Sequence, residues 1–182
     1  MGVPLIDVQA RWAYSEIIDS VAPHRYNNGH GIEELRTKRS TRVPFDRLSE
    51  EERYNLAFQG AHVRQPLFIY LIGTHLFEIV EINRNVLAKF LVPPIVSRIA
   101  NCVPFKEYIA TTSEDLDDAR NVPLKQQSYE APIDPVTIGR LYEYPVLIDG
   151  FHRAALFWKF APAGSNLFAY IPCTLNGSIA TS

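Results

Sequence analysis

Apolar and polar positions alternate along the chain with two different periods, and the changes of period divide it into candidate elements. Between Val8 and Val21, Trp12, Ile17, Ile18 and Val21 recur at mixed helical spacings, and Pro23 ends any helix there. Ser49 followed by Glu52 has the spacing of a capping box, so a helix is expected from Glu50 to about Phe58. Leu67–Ile72 and Leu76–Ile82 are rich in β-branched and aromatic residues and flank Gly73-Thr74-His75. That pattern predicts a β-hairpin, with one continuous helix as the competing reading. Asn85–Leu91 and Ile95–Ile99 read as apolar helical pieces that Pro93-Pro94 keeps apart.

The stretch from Thr111 to Pro135 is polar and punctuated by proline, which predicts a long surface loop with one short acidic helix. A tighter rhythm follows. Thr137–Tyr142 and Pro145–Ile148 read as strands, His152–Phe160 as a helix and Leu167–Ile171 as a last strand. No internal repeat or low-complexity tract interrupts the order. The expected class is α+β, a small mixed sheet flanked by helices, with an N-terminal elaboration of helices and a hairpin.

Composition narrows the partners. With 182 residues, one domain over 1–182 is the default, with a distinct structural unit at about 136–173. The 18 basic and 20 acidic side chains leave a formal net charge of −2, so nothing draws the whole chain to nucleic acid or to an anionic membrane. Cys102 and Cys173 are far apart and lack metal-ligand spacing, which suits a reducing cytosol and suggests neither a disulfide framework nor a zinc site. The N-terminus lacks the pattern of a signal peptide, and Ile6 stands where a myristoylation signal carries Ser or Thr. The most apolar run, Pro66–Ile82, contains Glu78 and Glu81 and falls short of the ~20 residues a bilayer requires. A soluble, cytoplasmic protein is expected.

Candidate chemistry concentrates in Pro145–Trp158, PVLIDGFHRAALFW. A buried strand runs through Asp149-Gly150 into a helix. The first N–H groups of such a helix, at Gly150, Phe151, His152 and Arg153, lack intrahelical partners and carry the positive end of the macrodipole, so they favour an anion. Gly150 leaves room for a phosphate to approach. His152 and Arg153 add side-chain donors, Arg153 with a fork matched to two phosphate oxygens. Asp149, at the strand end, is suited to hold magnesium or to take a proton from an attacking hydroxyl. The competing structural reading is a capped helix whose His152 and Arg153 pair with acidic neighbours such as those of Glu114–Asp118.

Elsewhere, Arg36, Lys38, Arg39 and Arg42 form a basic run, either an anion patch or a solvated surface loop with counter-charges at Glu33 and Glu34. A turn is marked just before it by Asn27, Asn28, Gly29 and Gly31. His24, His30, His62 and His75 read as surface or core residues, and no metal site is expected from them.

The run Val146-Leu147-Ile148-Asp149-Gly150-Phe151-His152-Arg153-Ala154-Ala155 resembles the ParB/sulfiredoxin-like superfamily, whose shared element is a hydrophobic strand, Asp-Gly-x-His-Arg and small helical residues. The resemblance covers about the last fifth of the chain, including the strand Leu167–Ile171 before Pro172. It implies a turn that holds nucleotide phosphates. Phe151 occupies the place of the sulfiredoxin cysteine, so sulfinic acid reduction is not expected. ParB proteins continue into a helical DNA-binding region, and little chain follows Leu167–Ile171 here, so DNA clamping is not expected either. The nearest branch in kind is that of nucleotide-dependent free-serine kinases. Their N-terminal catalytic glutamate has no matching motif, with Glu33 and Glu34 as unanchored candidates.

The resemblance thus implies an ATP- or ADP-dependent enzyme, with magnesium, that transfers a phosphoryl group to a small molecule. Catalysis would fall to Asp149, His152 and Arg153, phosphate binding to Gly150, Phe151, His152 and Arg153, and magnesium to Asp149. Arg36, Lys38, Arg39 or Arg42 would close over the nucleotide. The alternative is a non-catalytic nucleotide- or nucleic-acid-binding module.

Overall fold

The computed structural model describes residues 2–17, 31–63, 65–97, 100–112 and 135–175. The chain divides into two compact units, one spanning Val3–Ile69 and one spanning Tyr70–Ser182 with Met1–Gly2.

The first unit is mainly helical. After a two-residue strand β1 (Val3–Pro4), helix α1 (Leu5–Glu16) is followed by α2 (Ile32–Ser40), a 3₁₀ turn over Phe45–Arg47, and α3 (Glu50–Val63). Helix α1 begins earlier than the apolar spacing suggested, directly after Pro4. Its Ala10, Ala13 and Tyr14, with Ile17 at its C-cap, pack with Ile32 and Leu35 of α2 and with Leu56 and Ala57 of α3. The capping box forms at the start of α3: the Ser49 N–H donates to Glu52 Oε2 at 2.8 Å, and the Glu52 N–H donates to Ser49 Oγ at 3.2 Å. Two of the N–H groups that helix geometry leaves without partners are thereby satisfied.

Arg36, Lys38 and Arg39 of the basic run are helical, so the loop reading is corrected for them, while Arg42 lies in the turn that follows. Glu33 and Glu34 occupy the first turn of α2, and Lys38 and Arg39 the last, the arrangement the helix dipole favours.

The hairpin expected at 67–82 is also corrected. Gln65–Leu71 forms a 3₁₀ helix that leads into the second unit, and only Leu76–Ile82 is a strand, β2. The physical reason lies downstream. β2 pairs antiparallel with β7 (Leu167–Pro172), Phe77 opposite Pro172 and Ile82 opposite Leu167. Between them in sequence come α4 (Arg84–Lys89), β3 (Leu91–Val92), α5 (Pro94–Ser97), β4 (Val103–Pro104), α6 (Phe105–Thr112), β5 (Val136–Leu141), β6 (Tyr144–Asp149) and α7 (Phe151–Phe160). The two helical pieces expected around Pro93-Pro94 are thus present, with β3 between them. Of the loop expected over Thr111–Pro135, residues 113–134 lie outside the described residues, as do Asn27, Asn28 and Gly29.

The sheet of the second unit is mixed, in the order β2-β7-β5-β6-β3-β4. β7 is parallel to β5, β5 antiparallel to β6, β6 parallel to β3, and β3 antiparallel to β4. An α+β class is therefore observed. Val136–Gly139 and Val146–Asp149 are buried at every position, as expected of strands covered on both faces, which is why they read as continuous apolar runs. One face carries Ile138, Leu147, Leu167, Ala169 and Ile171 against Ala154, Ala155, Leu156 and Phe157 of α7, joined by Phe90 and Phe105. Burying one such large side chain contributes about 1.5–3 kcal/mol. At Gly139, a Cβ would lie 2.6 Å from the Tyr70 carbonyl oxygen, so only glycine lets the Tyr70 backbone lie this close to β5. Among the described residues, no helix is long and apolar enough to cross a membrane.

Candidate functional site

The turn between β6 and α7 brings together all the residues that the motif singled out. β6 carries Asp149 to its end, where a register shift interrupts the ladder: Thr137 stands opposite Asp149, while Ile138 stands opposite Leu147. Such an irregularity re-aims the strand end. Gly150 follows at φ 82°, ψ 27°, in the left-handed region, and serves as the N-cap of α7 without a side-chain capping bond. Its carbonyl accepts the Ala154 N–H at 2.8 Å, the first hydrogen bond of the helix. The N–H groups of Phe151, His152 and Arg153 precede that bond and sit at the positive end of the dipole.

Gly150 is required for two reasons. A positive φ disfavours any side chain, and a Cβ here would lie 2.7 Å from Val136 Cγ1. The strand floor thus dictates the residue as firmly as a ligand would.

Arg153 folds back over this glycine. Its Nη2 lies 2.8 Å from Asp149 Oδ2, a pair whose side chains are 15% and 6% exposed, and would be 3.1 Å from a Cβ at position 150. His152 is exposed, and Phe151 is half-buried against the core of the unit. The side-chain donors therefore differ in kind: His152 meets solvent, whereas the Arg153 guanidinium is already oriented by a carboxylate.

At the other end of α7, Arg84 donates through Nη2 to the carbonyls of Ala161 and of Phe157 (3.4 Å), and its guanidinium carbon lies 5.9 Å from the Phe157 ring centre. A cation there satisfies the last carbonyls and complements the negative end of the dipole. No local pattern announces this role, because Arg84 lies 77 residues before Ala161. Val136 and Thr137, which shape the floor of the turn, were likewise missed, since Thr137 read only as the start of a strand and Val136 fell between that strand and the expected loop.

Magnesium fits Asp149 poorly. The carboxylate is buried and faces a guanidinium cation, whereas magnesium sites keep several waters and little competing positive charge. Among the described residues, no group of three or more His, Cys, Asp or Glu could hold a metal ion.

The basic run belongs to the other unit, and its charges are partly engaged there. Arg36 pairs with Glu33 and donates to the Ile17 carbonyl, while Lys38 pairs with Glu34 (3.2 Å) and Glu52. Arg39 stacks 5.5 Å over the Tyr14 ring, and Arg42 is exposed at φ 60°. Glu33 and Glu34 are therefore both occupied by α2 cations. His75 is exposed in the loop before β2, while His24 and His30 lie outside the described residues and the His62 side chain is not described. Comparisons with protein-family models, with curated proteins and with solved structures return no match to the chain.

Proposed function

We propose that the β6–α7 turn binds the phosphates of ATP or ADP and that the chain transfers a phosphoryl group from the nucleotide to a small molecule. The observation that carries this reading is the Arg153 guanidinium held beside Gly150 at the start of α7, with His152 exposed at the same helix end. Helix dipole, backbone donors, guanidinium and imidazole all favour negative charge at one place. The resemblance of Val146–Ala155 to the ParB/sulfiredoxin-like superfamily supports a nucleotide as the source of that charge.

Phosphoryl transfer depends chiefly on positioning and charge neutralisation, which such a turn supplies. Arg153 and the backbone donors would hold the phosphates. His152 is suited to take the proton that the acceptor hydroxyl releases as its oxygen bonds to the terminal phosphorus and the bridging P–O bond breaks, which leaves ADP from ATP or AMP from ADP. No step is assigned to a metal on Asp149.

A second reading, a nucleotide-binding module without turnover, is favoured by one observation: the Asp149 carboxylate is engaged by Arg153, which leaves it poorly placed to act as a base. Thermal unfolding of the wild type and Arg153→Ala with ATP, ADP, CTP or GTP, with and without magnesium, tests the binding. A ligand at about 100 times its dissociation constant stabilises by ~2.7 kcal/mol. A rise confined to the wild type supports the site, and no rise with any nucleotide removes it. Release of ADP or AMP in the presence of candidate acceptors separates enzyme from module.

A further inference from the structure

Around the start of α3, charges that face the first unit are paired within it: Asp46 with Arg11, Glu52 with Lys38 and Arg53 with Asp7. Arg42, Arg47, Glu50 and Glu51 are exposed instead and form no ion pair among the described residues. They share one region, because the Lys38–Glu52 bond holds the last turn of α2 against the first turn of α3. From there the outward face of α3 continues through Tyr54 and Phe58, which are 64% and 68% exposed and spaced i,i+4, so their rings are neighbours. Rings so exposed add little to the fold, and Tyr, Phe and Arg are enriched where proteins meet.

Arg42 also occupies a place better suited to another residue. The Val43 N–H donates to the Lys38 carbonyl at 2.8 Å and the Arg42 N–H to the Arg39 carbonyl at 3.0 Å, a helix ending that favours glycine in the left-handed position. Arg42 holds that position at φ 60°, with backbone strain that its side chain does not offset within the described residues.

The patch carries both signs, and this restricts its partner. Glu50 and Glu51 repel an acidic surface, and Arg42 and Arg47 repel a basic one. A matching surface presents the two signs in reverse order. A second copy of the same patch, turned about a two-fold axis, does so, since each residue then meets its counterpart's neighbour reciprocally. We propose that the end of α2 and the outward face of α3 form a two-fold interface between copies of this chain. Arg42 and Arg47 of each copy face Glu50, Glu51 and Tyr54 of the other, and a guanidinium suits both carboxylates and ring faces.

Sedimentation equilibrium of the full chain over a range of concentrations tests the interface. The wild type is expected to form a dimer that weakens with added salt, because its ion pairs lie at the surface. Arg42→Gly suits the left-handed turn and is expected to keep the fold, yet to raise the dissociation constant about tenfold, since the contact is lost twice across the axis. Arg42→Glu with Arg47→Glu makes the patch wholly acidic, and Glu50→Arg with Glu51→Arg makes it wholly basic. Each doubly reversed protein is expected to be monomeric alone, and an equimolar mixture to restore a one-to-one dimer. A wild type that stays monomeric at every concentration overturns the inference, as does a dimer that the reversals leave intact. Assemblies larger than a dimer overturn the two-fold arrangement in favour of a head-to-tail one. Should a reversed protein not fold, Arg42→Gly decides, and an unchanged dissociation constant overturns the inference.

Discussion

Gly150 and Val136 are packed so closely that a Cβ at position 150 would lie 2.7 Å from Val136 Cγ1, and the glycine sits at φ 82°. Gly150→Ala therefore combines a left-handed backbone penalty with overpacking against a buried strand. A loss of about 2–4 kcal/mol is expected from the two together, measured by denaturant unfolding. An unchanged midpoint would mean that the turn is built differently.

Glu52 makes the stability of the first unit depend on acidity. Burial pushes its carboxyl up, but the hydrogen bonds from Lys38 and Ser49 together outweigh burial and hold it below its ordinary value of 4.5. A depressed folded-state value means that the unfolded chain binds the proton more readily. This contribution is complete above pH 4.5 and is lost as the pH falls through the lower folded value. Glu52→Gln should flatten that acid limb in a series of unfolding curves. Ser49→Ala, which removes the Oγ acceptor of the Glu52 N–H but keeps the backbone donor to Glu52, should cost about 1 kcal/mol at neutral pH.

Arg84 is expected to hold the C-terminal end of α7. Arg84→Met keeps much of the contact with the Phe157 ring but removes the donor to the carbonyls of Phe157 and Ala161. A loss of about 1.5–3 kcal/mol is expected for hydrogen bonds from a charged group. Amide exchange should accelerate first around Phe160 and Ala161, and uniform acceleration along α7 would contradict the capping role.

Tyr142 carries strain of another origin. It is 82% exposed, stands at φ 54°, and occupies the first central position of the two-residue loop that joins the Leu141–Tyr144 pair. Turns with this geometry favour glycine there. Tyr142→Gly should raise stability by about 0.5–1 kcal/mol, relief of the left-handed penalty exceeding the added freedom of the unfolded chain. A lower melting temperature would show that the exposed ring contributes contacts of its own.

What could be read from the sequence depended on the reach of each interaction. Ser49 and Glu52 are three residues apart and complete their cap between themselves, so the pattern sufficed. The β6–α7 turn was legible for the same reason, because strand, glycine and helix follow one another directly. Leu67–Ile72 carried the composition of a strand but had no sheet neighbour to join, since the partner of β2 is β7. The contact of Arg153 with Asp149 also escaped the sequence. The i,i+4 spacing to Asp149 is visible, but whether the guanidinium turns inward depends on the room that Gly150 and Val136 leave between strand and helix.

The place of β7 between β2 and β5 has a consequence for synthesis. Among the described strands of this unit, β2 is made first and β7 last, yet β7 joins β2 to β5 and the strands beyond it. A nascent chain therefore cannot close this sheet until residues 167–172 have left the ribosome, and until then the edges of β2 and β5 that β7 will cover stay unpaired. Pairings so distant in sequence slow folding, and unpaired strand edges invite association with other chains. Chaperone dependence during translation should accordingly end with the emergence of β7.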